Sequence, residues 1–285
     1  MNSTQQIAMV LVLDTEVHRM DGKPVVVELF PFEQECFHAE YEKYFKGKRQ
    51  NFFVTLTAFR PLWDCFQLLN DIWMREASNL EHLTEQTHLL PKIIFMSAHA
   101  RFLNAIELGY SCCIGDAYSV LRDGIEAVAH AHKIFKEPTT AGAAWSEKHQ
   151  GKTQKGAYNK IFEEKKKDNL FPDDVPGLRQ LHTYYGHFCE LATHTSVTSI
   201  GKNFQDMSDK GKLKWAFHYF ETNPQRLAGF LNALLQVSAH MEEVFYGCFE
   251  ARLNLDPELG RMRSQFLLLR QQQTHYLMGI ASAKP

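Results

Sequence analysis

A chain of 285 residues that is 45 % apolar and 12 % aromatic has enough apolar surface for a sizeable core, which excludes a mainly disordered protein. Its 31 basic and 33 acidic side chains leave a formal charge of -2, so no global field draws it onto nucleic acid or an acidic membrane. The cysteines, Cys36, Cys65, Cys112, Cys113, Cys189 and Cys248, form no C-x-x-C pair and have no histidine at zinc spacing, so they read as free thiols of a reducing compartment.

In chain order, the apolar run Ile7–Leu13 comes first. It is too short to span a membrane and has no basic residue ahead of it, which points to a cytoplasmic protein without a membrane anchor. Asp21-Gly22 makes a turn before the β-branched stretch Val25–Phe30, and pairing the two runs predicts an N-terminal β-hairpin within residues 1–31. Helical periodicity begins at Phe32–Phe45 and continues over Asn51–Leu83, with Pro61 as a break or a start. Pro91 is expected to open the next helix, which runs to Tyr110.

The stretch Ser111–Pro138 is the most regular. Ile114, Ala117, Tyr118, Leu121, Ile125, Val128 and Phe135 recur at three- and four-residue steps, while the small residues Gly124, Ala127 and Ala131 allow close packing. This predicts a central helix. Residues 139–175 read as an exposed lysine-rich connection with a short helix near Ala157–Lys167, and Leu178–Thr195 as the next long helix.

Within residues 197–220, Leu213, Trp215, Phe217 and Tyr219 alternate with polar or small neighbours. That is the period of a half-buried strand, and pairing with Val197–Ile200 gives a β-hairpin insertion. Asn223-Pro224 and Asp256-Pro257 each supply a cap followed by a first-turn proline, placing the last helices at about Pro224–Arg252 and Pro257–Gly279. The fold expected is mainly α: one helical domain over residues 1–285, a multi-helix bundle with one or two small β-hairpins.

Two polar rows stand out. Arg122, Glu126 and His130 share a face of the central helix, and His187, Glu190 and His194 share a face of the helix after Pro176. If those faces meet, Glu126, His130, Glu190 and His194 supply carboxylate and imidazole donors of the kind that hold a divalent metal inside a bundle. The competing reading is a set of solvated faces or buried ion pairs that organise the scaffold. Lys152, Lys155, Lys160, Lys165, Lys166 and Lys167, near Trp145, Tyr158 and Phe162, combine charge with stacking groups, the minimum for a nucleic-acid contact. The apolar terminal helices read as core or homodimer interface. No Gly-rich phosphate loop, G-x-S-x-G elbow or H-E-x-x-H is present.

The Arg122-x3-Glu126 helix, the Trp145 segment and the helix from Tyr184-Tyr185 to His194-Thr195-Ser196 resemble a set of bacterial helical-bundle proteins with no assigned activity. That resemblance covers about residues 111–196 and implies a bundle with a polar centre. The spacings Arg75 to His82 and Arg270 to His275 resemble the Arg-to-His signature of HEPN ribonuclease-like bundles, which implies an arginine polarising a phosphate and a histidine acting as general acid or base. The function expected is a module that binds a protein partner or small ligand through its polar centre and basic connection. The alternatives are a metal-dependent or HEPN-like enzyme and a nucleic-acid binder.

Overall fold

A computed structural model describes residues 8–12, 38–193, 204–206, 214–253 and 256–283. The chain is mainly helical. Helices α1 (Ala39–Ala58) and α2 (Arg60–Asn79) are separated at Phe59, and Pro61 sits in the first turn of α2, where its missing N–H costs nothing. Helix α3 (Gln86–Tyr110) begins five residues before Pro91, so this proline does not open it. Glu85 accepts backbone N–H groups from His88 and Leu89, each at 2.9 Å, and Pro91 is buried. Burial against the core thus accompanies the one ladder bond the proline cannot make.

Helix α4 (Ile114–Lys136) follows a turn in which Cys112 has φ +61°. Its stripe is buried as expected, with Ala117, Leu121, Ile125 and Val128 fully covered against α3 and the later helices. A Cβ on Gly124 would lie 3.1 Å from Met241 and 3.2 Å from Arg101, so glycine here lets two neighbours approach α4 at once.

The connection expected as mostly loop is instead built from short helical pieces: α5 (Ala141–Glu147), α6 (Lys152–Tyr158), a π-helical turn Asn159–Glu163, and α7 (Lys166–Leu170). Tyr158, Phe162, Leu170 and Phe171 anchor it in the core, which explains why so polar a stretch is ordered. Helix α8 (Pro176–Phe188) runs into a second π-helical turn, Cys189–Thr193.

The described strands make an antiparallel pair within residues 197–220 and give the N-terminal run a distant parallel partner. Strand β1 (Ala8–Val12) pairs in parallel with β3 (Lys214–His218), in register Ala8 with Lys214, and β2 (Phe204–Asp206) pairs antiparallel with the same β3. The sheet order is β1-β3-β2. The N-terminal run therefore meets a strand some two hundred residues away. Its expected partner Val25–Phe30, like Val197–Ile200, lies outside the described residues, and β2 falls between the two runs expected to pair in the insertion. The exit of β3 is tied down where Glu221 N donates to Cys112 O at 2.8 Å and Tyr44 stacks on Phe220.

Helices α9 (Pro224–Phe249) and α10 (Pro257–Ala281) close the bundle. Their caps are those expected: Asn223 accepts from Arg226 N and Asp256 from Glu258 N, both at 3.0 Å. One apolar cluster runs from Leu62 to Leu277 and includes residues of α2, α3, α4, α8, α9 and α10. No described helix is long and apolar enough to cross a membrane. Cys65, Cys112, Cys113, Cys189 and Cys248 are free thiols; Cys36 lies outside the described residues.

Candidate functional site

Helix α4 does present its polar row to a neighbour, but the partners differ from those expected. Glu126 meets Lys166 of α7 and Tyr185 of α8. Lys166 Nζ donates to Glu126 Oε1 at 3.0 Å and to Tyr185 Oη at 3.1 Å, and Tyr185 Oη donates to Glu126 Oε2 at 3.2 Å. Three elements thus close a hydrogen-bonded triangle. It is half-buried, with the Glu126 and Lys166 side chains about a quarter exposed.

His130 lies one turn along α4, with Nε2 3.8 Å from Glu126 Oε1, too far for a hydrogen bond. Its ring packs against Phe162 at 4.8 Å, and Nε2 is buried with no hydrogen-bond partner. Burial holds this imidazole down to about 4, against the pull of Glu126, so at neutral pH it is uncharged. Burial alone would push the Glu126 carboxyl up, but Lys166, His130 and Tyr185 outweigh it and keep it ionised below its usual range. For Lys166, burial works against the charge while Tyr185 and Glu126 more than restore it. Burial raises the Tyr185 phenol, so it remains a donor.

The local backbone is built to aim these groups. Lys165 adopts φ +47°, a left-handed conformation costing roughly 1–2 kcal/mol in a residue with a side chain, and it turns Lys166 inward. The two π-helical turns flank the cluster, one bearing Phe162 and Glu163 and the other following Tyr185 by a few residues. Such turns occur mostly as single insertions inside α-helices and are frequent at functional sites.

Other expected site residues are placed elsewhere. Arg122 bonds its neighbour Asp123 through Nε and Nη2, at 3.2 and 2.7 Å, rather than Glu126. His187 and Glu190 are exposed, because Leu178, Leu181 and Phe188 turn the other side of α8 inward. Glu190 therefore does not join Glu126, and His194 lies outside the described residues. Among the described residues, no three His, Cys, Asp or Glu side chains are grouped so as to share a metal ion, and Lys166 occupies the side of Glu126 that a cation would take. Lys152, Lys155, Lys160, Lys165 and Lys167 are exposed, while Lys148 sits over the Tyr158 ring at 3.8 Å.

The arginines of the two Arg-to-His spacings are held by partners other than those histidines. Arg75 is bound to Asp256 beside the start of α10. Arg270 points to α9, donating to Gln236 and Glu243 at 2.9 and 2.7 Å, with His240 at 3.2 Å, while His275 and His82 are exposed.

A second polar cluster was not anticipated. Glu76 of α2 and Glu242 of α9, 1 % and 4 % exposed at their side chains, both accept from Nη1 of Arg263 on α10. Burial and the neighbouring Glu242 push the Glu76 carboxyl up to about 10, so it carries a proton, and its Oε2 has no other donor. Burial raises the Glu242 carboxyl as well, so the two carboxyls titrate as a pair beside one guanidinium, which the Tyr246 ring covers at 3.7 Å. This cluster joins three helices and offers little opening to a ligand.

Comparisons with protein-family models, curated proteins and solved structures give no match.

Proposed function

We propose that this chain is a binding module for an acidic protein partner, received on the lysine-bearing face of α5 to α7 and held in place by the Glu126–Lys166–Tyr185 centre. The observation that carries the reading is the sorting of lysines. Lys166 is drawn into the bundle as an anchor, while Lys152, Lys155, Lys160, Lys165 and Lys167 stay exposed on an ordered segment. Residues 148–168 contain seven lysines against Glu163, Glu164 and Asp168, a surplus of four positive charges in a chain whose total is -2. A local field of this sign steers an acidic surface and speeds its encounter.

Nucleic acid is the second reading, supported by the exposed Trp145 beside the same lysines. Glu163, Glu164 and Asp168 interrupt the cationic track, which favours discrete pairing with a folded acidic partner over a run of phosphates. The test is fluorescence anisotropy with an acidic peptide and a single-stranded RNA of equal charge. The expected outcome is salt-sensitive peptide binding that falls about tenfold or more in Lys152→Glu/Lys155→Glu. Tighter RNA binding moves the reading to nucleic acid, and no binding of either removes it.

A further inference from the structure

A groove lies between α1, α2 and α3, and none of its lining residues belongs to the polar centre. It encloses about 490 Å³, within the range of small-molecule pockets. Phe52, Trp63 and Phe66 make its walls, with the Phe52 and Trp63 rings edge to face at 5.6 Å. Gln67 and Asn70, one turn apart on α2, bring two side-chain amides to the same space.

Asn70 is pre-set from behind. His99 Nε2 lies 3.0 Å from Asn70 Oδ1, and His99 is only 5 % exposed. Burial holds that imidazole down to about 4, so at neutral pH it is uncharged and donates Nε2–H to the amide oxygen. Asn70 Nδ2 reaches Asp71 at 3.4 Å with one of its hydrogens. An N–H and an oxygen lone pair of a fixed amide are thus left for a ligand.

A second cavity of about 280 Å³ continues from the first across Phe52 and Glu107, which line both. Lys48 and Arg49 line this second cavity but not the first. Lys48 is paired with Glu107 at 3.0 Å, and the Glu107 side chain is 53 % exposed, so the pair is weak enough to exchange for another anion. The first cavity thus holds aromatic walls and amides, the second holds cations, and the Glu107 carboxylate lines both.

We propose that this groove binds a nucleotide: a flat heterocycle against Phe52, Trp63 and Phe66, its edge read by Asn70 and Gln67, its ribose hydroxyls on Glu107 and its phosphate at Lys48 and Arg49. Each pairing is ordinary chemistry. Bases stack on aromatic rings, amides bond a base edge through donor and acceptor together, a carboxylate accepts from ribose hydroxyls, and phosphate is held by charge-assisted bonds. The site uses no residue of the Glu126–Lys166–Tyr185 centre, so either assignment stands or falls alone.

The experiment is titration of the full chain with AMP, GMP, CMP and UMP to millimolar concentration, followed by tryptophan fluorescence through Trp63 and by calorimetry. At least one nucleotide is expected to quench saturably, with its nucleoside about tenfold weaker and inorganic phosphate weaker still. Asn70→Ala is expected to weaken nucleotide and nucleoside alike by about tenfold. Lys48→Met is expected to reduce the nucleotide to the affinity of its nucleoside and leave the nucleoside unchanged. Leu103→Glu, at a 43 % exposed position on the groove, blocks binding without touching the core. The proposal is overturned if none of the four nucleotides binds, if phosphate alone binds as well, or if binding survives both Asn70→Ala and Leu103→Glu in proteins that melt like the parent.

Discussion

Between α2, α9 and α10, Glu76 and Glu242 close on Arg263. Between α4, α7 and α8, Glu126 closes on Lys166 and Tyr185. Both clusters join three helices with carboxylate and cation. They differ in water. The first has carboxyls at 1 % and 4 % exposure, and there a second negative charge is too costly, so Glu76 keeps its proton. The second is about a quarter exposed, and its carboxylate stays ionised below the usual range. The lesson is that similar charged parts make a lock when dry and an accessible surface when half-wet, because desolvation sets which protonation states the site can hold.

The comparison breaks most visibly at Arg263. Arg263→Ala leaves two buried carboxyls without their cation and should cost about 3–5 kcal/mol in urea unfolding. A loss below about 1 kcal/mol would show that this cluster is no lock.

Next comes the acid side of the stability curve. The His130 imidazole is held at about 4, below its unfolded value of about 6.5, so its neutral form contributes stability that is complete above pH 6.5 and lost as pH falls toward 4. His130→Phe, which keeps a ring against Phe162, should remove about 2 kcal/mol of that acid-side loss, read from melts between pH 7 and 4. An unchanged pH profile would place His130 in water.

An effect opposite in sign along the pH axis belongs to Glu76. Its carboxyl is raised to about 10, so the protonated form stabilises the fold fully below the unfolded value near 4.5, and that stability drains away as pH rises through 10. Glu76→Gln mimics the acid and should match the parent near pH 5, then exceed it by a margin that widens toward pH 9. The smallest change is expected at the wetter cluster. Lys166→Met and Tyr185→Phe should each cost about 1 kcal/mol or less, with a measurable coupling in the double variant.

Much of the architecture was readable before folding. The α4 stripe, the caps Asn223 and Asp256, and the break near Pro61 are local patterns, and each occurs as expected. The Glu76 lock also leaves a trace in the sequence. Leu69, Ile72, Trp73 and Glu76 continue one buried stripe of α2, as Ser238, Met241, Glu242 and Phe245 do on α9, and a charge on an apolar stripe marks a buried partner. Glu126 and His130 form a legible row, but its companions carry no such mark: Lys166 sits in a run of surface lysines and Tyr185 in an aromatic helix.

What the sequence determined by itself is periodic and local: which stretches are helices, where they start, which face of each is apolar. Helix formation depends on residues three and four apart, so that information lies along the chain. Only the tertiary structure decided that β1 would pair with β3, and that Glu126 would meet Lys166 forty residues on and Tyr185 fifty-nine on. Those choices follow from how the apolar faces bury one another, and no spacing along the chain encodes the rotation at which two helices then come to rest.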